Sequence, residues 1–498
     1  MARMKGISRR EFLRLTSMAG GALTFARFPQ VSAPTAKRTL KKQAKTINVL
    51  VVGDPFQFAL DKVLDQFTEK TGISVNLENL SYDALQARLI TSFVSQTPDA
   101  DVVTVDQMWV SQYADNGWII PLDDYAKADS DTQIDDFIPQ VLHSLNTWRG
   151  RLWTLPIGAY GQGVIFRTDL LEAAGLPMPP KTPAEAGEWT WARYMEYINT
   201  LNGMTMGDKR MYGTVVCGAQ PIPIVHMYTQ LAASYGTRWF ASFPEVNENG
   251  VWDFTTTINS EANKAALADY KKLYDASPPE AINYVWFDAG TRFSQGDIGM
   301  FYWWTPYFYL VKNSGYMTGT PSEIIDKYDV GVLPTLEAGG QQVVSLGGWS
   351  LGIPRYSDNQ DEAWQFVKWA TSFEGQKAMA LVPDYNYQFS DFGRLSLYQD
   401  PELQAIYPYL PAQLEIMRQG NGKIPRPPIP IYTSLEGVYG LQLNRVLSGE
   451  ASPEEALATT EVLFNNILAG NQYVPNYLLG SYDDTLENTI ALIESLKA

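Results

Sequence analysis

At 498 residues the chain is too long for one compact core, so two domains or lobes are expected. Its apolar share of 45%, with 38 Gly and 30 Pro spread throughout, describes a globular protein rather than a disordered or fibrous one. A net charge of −16 repels phosphates and disfavours a nucleic-acid partner; one cysteine (Cys217) and two histidines (His143, His226) exclude a disulfide framework and Cys- or His-rich metal sites, so no metal or cofactor is expected.

The charge is uneven along the chain. Residues 1–45 carry +10, so the remainder carries −26: a basic leader precedes an acidic body. The leader reads SRREFLR (8–14) and then LTSMAGGALTFA (15–26). Paired arginines, the Phe12–Leu13 pair and a short, mildly apolar stretch form a twin-arginine export address, with an amphipathic basic helix as the alternative. About 12 apolar residues are too few to span a bilayer core of ~30 Å. Val31-Ser32-Ala33 fits a small-x-small cleavage pattern, with an unfavourable Pro34 behind it. The expected location is therefore the periplasm or the extracellular face of the plasma membrane.

In the body, INVLVVG (47–53) is a continuous apolar run, the mark of a buried parallel strand. Helical spacing follows in LDKVLDQFTEKTG (60–72), closed by Gly72. ISVNLENL (73–80) predicts a second strand, YDALQARLITSFVSQ (82–96) a second helix and DVVTVD (101–106) a third strand. Such alternation makes a doubly wound α/β lobe, with ligands beyond the carboxyl ends of its strands. That position makes Asp54, Phe56 and Gln57 candidates after the first strand, and Asp106, Gln107 and Trp109 after the third.

Further along, residues 301–310 read FYWWTPYFYL, seven aromatics in ten. Pro306 divides them, giving a strand through Trp304 and a turn or helix start beyond it. Adjacent residues on a strand point to opposite faces, so one of Trp303 and Trp304 faces a cleft and the other the core. Residues 260–276, 361–373 and 452–470 carry helical spacing, the last with Ser452 as cap and Gly470 as stop.

Four blocks together carry a family resemblance: DADVVTVDQMWVSQYADNGWIIPLDDY (99–125), LPIGAYGQGVIFRTDLLEAAGLPMPPKT (155–182), FSQGDIGMFYWW (293–304) and GGWSLGIP (347–354) followed by AWQFVKWATSFEGQKAMA (363–380). In this order, over roughly residues 47 to 470, they resemble the family 1 extracellular solute-binding proteins, the maltose- and trehalose-binding type receptors of ABC importers. The resemblance implies a type II periplasmic-binding-protein fold, α/β throughout, with a hinged cleft between two lobes. Chain crossings are implied near 156–160, 346–349 and 423–430. The N-lobe would be 46–157 plus 349–422, the C-lobe 158–346 plus 425–475, and 476–498 a C-terminal extension beyond the family pattern. The implied function is capture of a di- or oligosaccharide by a monomeric receptor that hands it to membrane permease subunits.

A sugar offers flat C–H faces and a rim of hydroxyls, so its site needs aromatic platforms with Asp, Asn, Gln or Arg around them. By the resemblance, Asp106 binds ligand; from its position alone it is equally an N-cap. The resemblance also places Gly348, Trp349 and Tyr160 against the sugar, with Gln162 beside them. Trp109 either covers the cleft mouth or packs. Asp54, Phe56, Gln57, Tyr432 and Glu436 are candidates from loop position, while Arg88 and Arg394 either clamp hydroxyls or form ion pairs. Two other readings stand beside the receptor. An exported glycoside hydrolase or lyase would need two carboxylates about 5–10 Å apart. The same fold could instead take iron, a polyamine or a peptide.

Overall fold

Seven residues of alternating and then continuous burial, TINVLVV, form strand β1 (Thr46–Val52). It pairs in parallel with β2 (Ser74–Leu80) on one side and β3 (Val102–Asp106) on the other. The computed structural model describes residues 45–97, 99–311, 321–384, 387, 389–470 and 481–497. The expected export leader, up to residue 44, and residues 476–480 of the expected tail lie outside these. Between β1 and β2 run helices α1 (Pro55–Asp61) and α2 (Leu64–Thr71). The single helix expected at 60–72 is thus two, because Pro55 starts a first turn that ends at Asp61; Gly72 closes the second in the left-handed conformation, as expected. Helix α3 (Tyr82–Ser95) returns the chain to β3, whose five residues are all buried.

Helix α4 (Pro139–Leu145) leads into β4 (Leu155–Tyr160). One residue, Gly161, separates β4 from β5 (Gln162–Arg167), and the two strands belong to different sheets. The first sheet runs β2-β1-β3-β8-β4, where β8 is Gly347–Gly352 and is antiparallel to both neighbours. In the second sheet β5 lies centrally, flanked by β6 (Met300–Trp304) and β7 (Tyr328–Gly331). The chain therefore passes from the first sheet to the second at Gly161 and back between β7 and β8. Helices α5 (Pro223–Ser234), α6 (Trp286–Ser294) and α7 (Tyr432–Leu447) follow the β5 side of the molecule, α7 packing on α5. Helix α8 (Leu486–Leu496) closes the described chain and packs on α4.

FYWWTPYFYL divides as expected: β6 ends at Trp304 and a short helix, Tyr307–Leu310, begins after Pro306. All ten residues are buried. Among the described residues no helix is long and apolar enough to cross a membrane.

Candidate functional site

The carboxyl ends of β1 and β3 open toward the end of β6 and the start of β8. Between them lies a cavity of about 270 Å³. Register explains what reaches it. Trp349 pairs with Asp106 across β8 and β3, and Gly347 pairs with Tyr160 across β8 and β4. Gly348 stands between them at φ +121°, and a Cβ there would meet the Gly158 carbonyl oxygen at 2.1 Å. Only glycine allows the strand to pass this close.

Of the twelve residues expected at the ligand, Asp54, Asp106, Tyr160, Trp304, Gly348 and Trp349 line the cavity. The other six do not. Phe56 and Gln57 sit on α1 and turn into the core, because only the cap residue Asp54 and Pro55 reach the cavity and the first turn carries the next two side chains inward. Trp109 is fully buried behind the wall, its ring 5.7 Å from Trp349 and 5.0 Å from Tyr82. Gln162 is fully buried and donates from Nε2 to the His226 carbonyl at 3.0 Å. Tyr432, also fully buried, donates to Glu436 Oε1 at 2.8 Å.

The two adjacent tryptophans separate as the alternation requires. Trp304, across from Gln162 in the ladder, keeps 7% of its surface and faces the cavity; Trp303, across from Gly163, keeps none and donates from Nε1 to the Trp286 carbonyl at 3.0 Å. Neither Arg88 nor Arg394 is at the cavity. Arg88 forks onto Asp99 at 2.7 and 3.1 Å, and Arg394 binds the Thr371 and Thr132 carbonyls at 2.6 and 2.8 Å.

Sequence reasoning missed Tyr82, His226, Trp286, Phe287, Tyr307 and Arg426, all of which line the cavity. Tyr82 was within reach, since it follows β2 much as Asp54 follows β1. Arg426 stands in the proline-rich KIPRPPIP run at an expected crossing, where a lone guanidinium is conspicuous. Trp286 and His226 carry no local signal, because distant segments bring them in.

The polar groups form a chain across one wall. Arg426, 2% exposed, places Nη1 3.2 Å from His226 Nε2 and donates from Nη2 to Gln107 Oε1 at 2.9 Å and to the Leu346 carbonyl at 3.2 Å. Its Nε has no hydrogen-bond partner among the described residues. The guanidinium lies 5.0 Å from the Trp304 ring. Glu436 Oε1 lies 3.2 Å from His226 Nε2. Burial, aided by the neighbouring Arg426 charge, pushes the His226 imidazole well below its usual range, so it is neutral. Burial lifts Glu436 to about 7 against the pull of Arg426 and Tyr432.

At the end of β1, Asp54 accepts hydrogen bonds from the Tyr160 hydroxyl and from Trp349 Nε1, the latter at 3.3 Å. Desolvation raises its carboxyl to about 7 despite both bonds, with Asp106 adding repulsion. Asp106 is raised by burial against the pull of Arg426, and its Oδ1 caps the turn at Met108 N at 3.0 Å. Cap and cavity wall are therefore the same side chain.

This arrangement sets acceptors (Asp54, Asp106) and a donor (Arg426) around aromatic faces (Trp286, Trp304, Trp349, Tyr82). It can hold a small molecule with apolar faces and several hydroxyls. A wider surface groove of about 1090 Å³ runs past Lys70, Lys368 and Trp369, but its lysines are paired with Glu374 and Asp129 at 2.5 Å each, and Trp369 and Phe373 are the aromatics in its lining. Among the described residues no three His, Cys, Asp or Glu side chains come together as a metal site.

The raised carboxyl of Asp54 sets a pH dependence. The folded state keeps this proton up to about 7, whereas the unfolded chain releases it near 3.8. Its stabilising contribution is therefore complete below about 3.8 and is lost as pH rises toward 7. Wild type should lose melting temperature between pH 5 and 8 more steeply than Asp54→Asn, measured by thermal unfolding across that range. Parallel pH profiles would contradict the assignment.

Comparison with known proteins gives the family and the fold. Residues 54–377 match the family model described as bacterial extracellular solute-binding protein. An ABC transporter solute-binding protein of Agrobacterium radiobacter K84, solved with ribitol, is 28% identical and superposes with a TM-score of 0.72, covering 85% of this chain and 98% of its own. One from Agrobacterium vitis S4, solved with D-mannitol, is 25% identical at a TM-score of 0.72, covering 86% and 99%. A maltose-bound protein of T. maritima, 23% identical at a TM-score of 0.70 over 85% and 100%, shares the fold.

Proposed function

The chain belongs to the bacterial extracellular solute-binding proteins, which bind and do not transform their ligands, and we propose that it captures a small polyhydroxylated molecule, an acyclic polyol or a monosaccharide. The observation that carries this reading is the 270 Å³ cavity in which Trp304 and Trp349 face Asp54, Asp106 and Arg426. Its volume falls just under the range of about 300–1,000 Å³ typical of small-molecule sites, which favours one sugar-sized unit over the expected di- or oligosaccharide. The ribitol and D-mannitol held by the two related proteins support the same choice. In this reading aromatic faces cover the carbon chain, the carboxyls accept hydrogen bonds from hydroxyls and the Arg426 guanidinium donates to a hydroxyl oxygen.

In this reading the chain forms two lobes, 46–157 plus 349–422 and 158–346 plus 425–475, each built mainly on one of the two sheets. Ligand contacts made from both lobes at once favour the closed state by differential affinity. The leader directs export by the twin-arginine route, and the loaded monomer passes its ligand to the permease of an ABC importer. The hydrolase alternative drops out with the family, and the metal-binding alternative has no cluster among the described residues.

Intrinsic tryptophan fluorescence, titrated with ribitol, mannitol, glucose, maltose, maltotriose and spermidine, tests the ligand class. Trp286, Trp304 and Trp349 at the cavity should respond to a polyol or monosaccharide at micromolar concentration and not to maltotriose. A response to maltotriose alone, or to spermidine alone, would reject it.

A further inference from the structure

The C-terminal extension, left without a role by the family resemblance, is anchored on both sides of the molecule. Helix α8 packs on α4, which itself packs on β4 and β8 of the first sheet. Ile493 and Leu496 are buried there, and Thr489 Oγ1 lies 3.0 Å from His143 Nδ1. Residues 481–484, ahead of the helix cap Thr485, turn to a different part of the chain. Ser481 Oγ accepts from Trp252 N at 3.0 Å, Asp483 Oδ1 accepts from Val246 N at 3.1 Å, and Asp484 N donates to the Pro244 carbonyl at 3.3 Å. Segment 244–252 follows Trp239, whose ring lies 5.3 Å from Tyr439 on α7, on the side of the second sheet.

A third anchor joins these two at the crossing. Asp484 Oδ2 receives Lys423 Nζ at 2.6 Å, with both side chains at most 2% exposed, and the same ammonium donates to the Thr147 carbonyl at 3.0 Å. Three residues on, the same segment delivers Arg426 to the cavity. An ion pair this deeply buried is broken only at high cost, so the segment cannot swing free while the fold persists. Opening the sheets apart would strain the 481–484 bonds to 244–252 and the packing of α8 on α4, along with the direct stack of Trp252 on Trp148 at 5.4 Å.

We propose that residues 481–497 form a strap that ties the two sheet-bearing halves together behind the cavity and biases the protein toward the closed, ligand-holding arrangement. The proposal rests on the two-lobe reading given above. The strap adds contacts that the closed state makes and an opened state loses. Its loss lowers the population of the binding-competent state and weakens apparent affinity by the same factor.

The test compares wild type, a truncation ending at residue 480, and the double variant S481A/D483A, which removes the acceptors of the Trp252 and Val246 amides and leaves the Lys423–Asp484 pair in place. Small-angle X-ray scattering of the ligand-free proteins is read together with the dissociation rate of the tightest-binding polyol or sugar. For the truncation the expected result is a larger radius of gyration and dissociation faster by about tenfold, and for the double variant a smaller change in the same direction. Lower melting temperatures with unchanged scattering and unchanged dissociation would overturn the strap and leave the extension a purely structural element. Should the truncation fail to fold, the double variant alone decides. Should no polyol or sugar bind, the scattering comparison still decides on the strap, because it needs no ligand.

Discussion

Replacing Arg426 with methionine should reduce ligand affinity by about a hundredfold and lower folding stability by about 3 kcal/mol. The two losses share a cause. The guanidinium satisfies Gln107 Oε1 and the Leu346 carbonyl, and its charge opposes the lift that burial gives Glu436. Methionine fills much of the volume but leaves those acceptors buried without a donor, which costs the full desolvation of each. On the binding side, Arg426 lines the cavity, and its Nε has no hydrogen-bond partner among the described residues. A hydrogen bond from a charged donor is worth about 1.5–3 kcal/mol, and at 1.4 kcal/mol per tenfold this gives the affinity loss. Lysine at 426 separates the terms: it keeps the charge but not the planar fork, so stability should recover further than affinity. Urea denaturation and equilibrium titration of the three proteins measure both. Equal affinity in wild type and Arg426→Met would remove Arg426 from the site.

The adjacent tryptophans give the second large effect, in opposite currencies. Trp303→Ala should cost about 3–5 kcal/mol of stability, the usual range for deleting a buried large aromatic, while the folded fraction binds nearly as wild type. Trp304→Ala should cost less stability and at least about thirtyfold in affinity, since it removes a platform that the ligand covers. The difference follows from one residue of strand register. Trp303 has no exposed surface, whereas the 7% that Trp304 retains is cavity surface. Denaturation midpoints and titrations of both variants would show the crossed pattern; an affinity loss in Trp303→Ala larger than in Trp304→Ala would reverse the assignment.

That register also marks where the sequence stops being informative. The alternation of apolar strands and amphipathic helices from 47 to 106 predicts the β-α-β core, because burial on both faces leaves a continuous apolar run and burial on one leaves a helical stripe. Pro306 correctly divides the aromatic run, because a ring without an N–H cannot continue the ladder. Which of Trp303 and Trp304 turns inward depends on pairing with Gly163 and Gln162 on β5, and nothing near residue 303 encodes that pairing. Phe56 and Gln57 were expected in a loop at the strand end. Pro55 instead starts a helix there, and its first turn rotates both into the core while Asp54 stays at the cavity. Trp109 illustrates the same limit at a shorter range: Asp106 caps a tight turn that carries the indole behind Trp349 rather than beside it.

Residues that local reading could not find are those on segments far apart in the chain. Tyr82 and Trp286, with ring centroids 5.8 Å apart, meet across the cavity from opposite sheets' helices. His226 lies on an almost wholly buried helix, where a histidine is indistinguishable from a packed one until Arg426 and Glu436 are found beside it. The family resemblance supplied Asp106, Tyr160, Gly348 and Trp349 as ligand contacts, and the structure gathers those four on one wall; their contact with ligand remains part of the proposal.

Isothermal titration of the wild-type protein with ribitol and D-mannitol tests the receptor account most directly. The account predicts one site per chain, micromolar or tighter affinity, and a negative heat-capacity change from covering the aromatic walls. No heat with any polyol or monosaccharide, together with saturable one-site binding of a charged ligand such as spermidine, would contradict it.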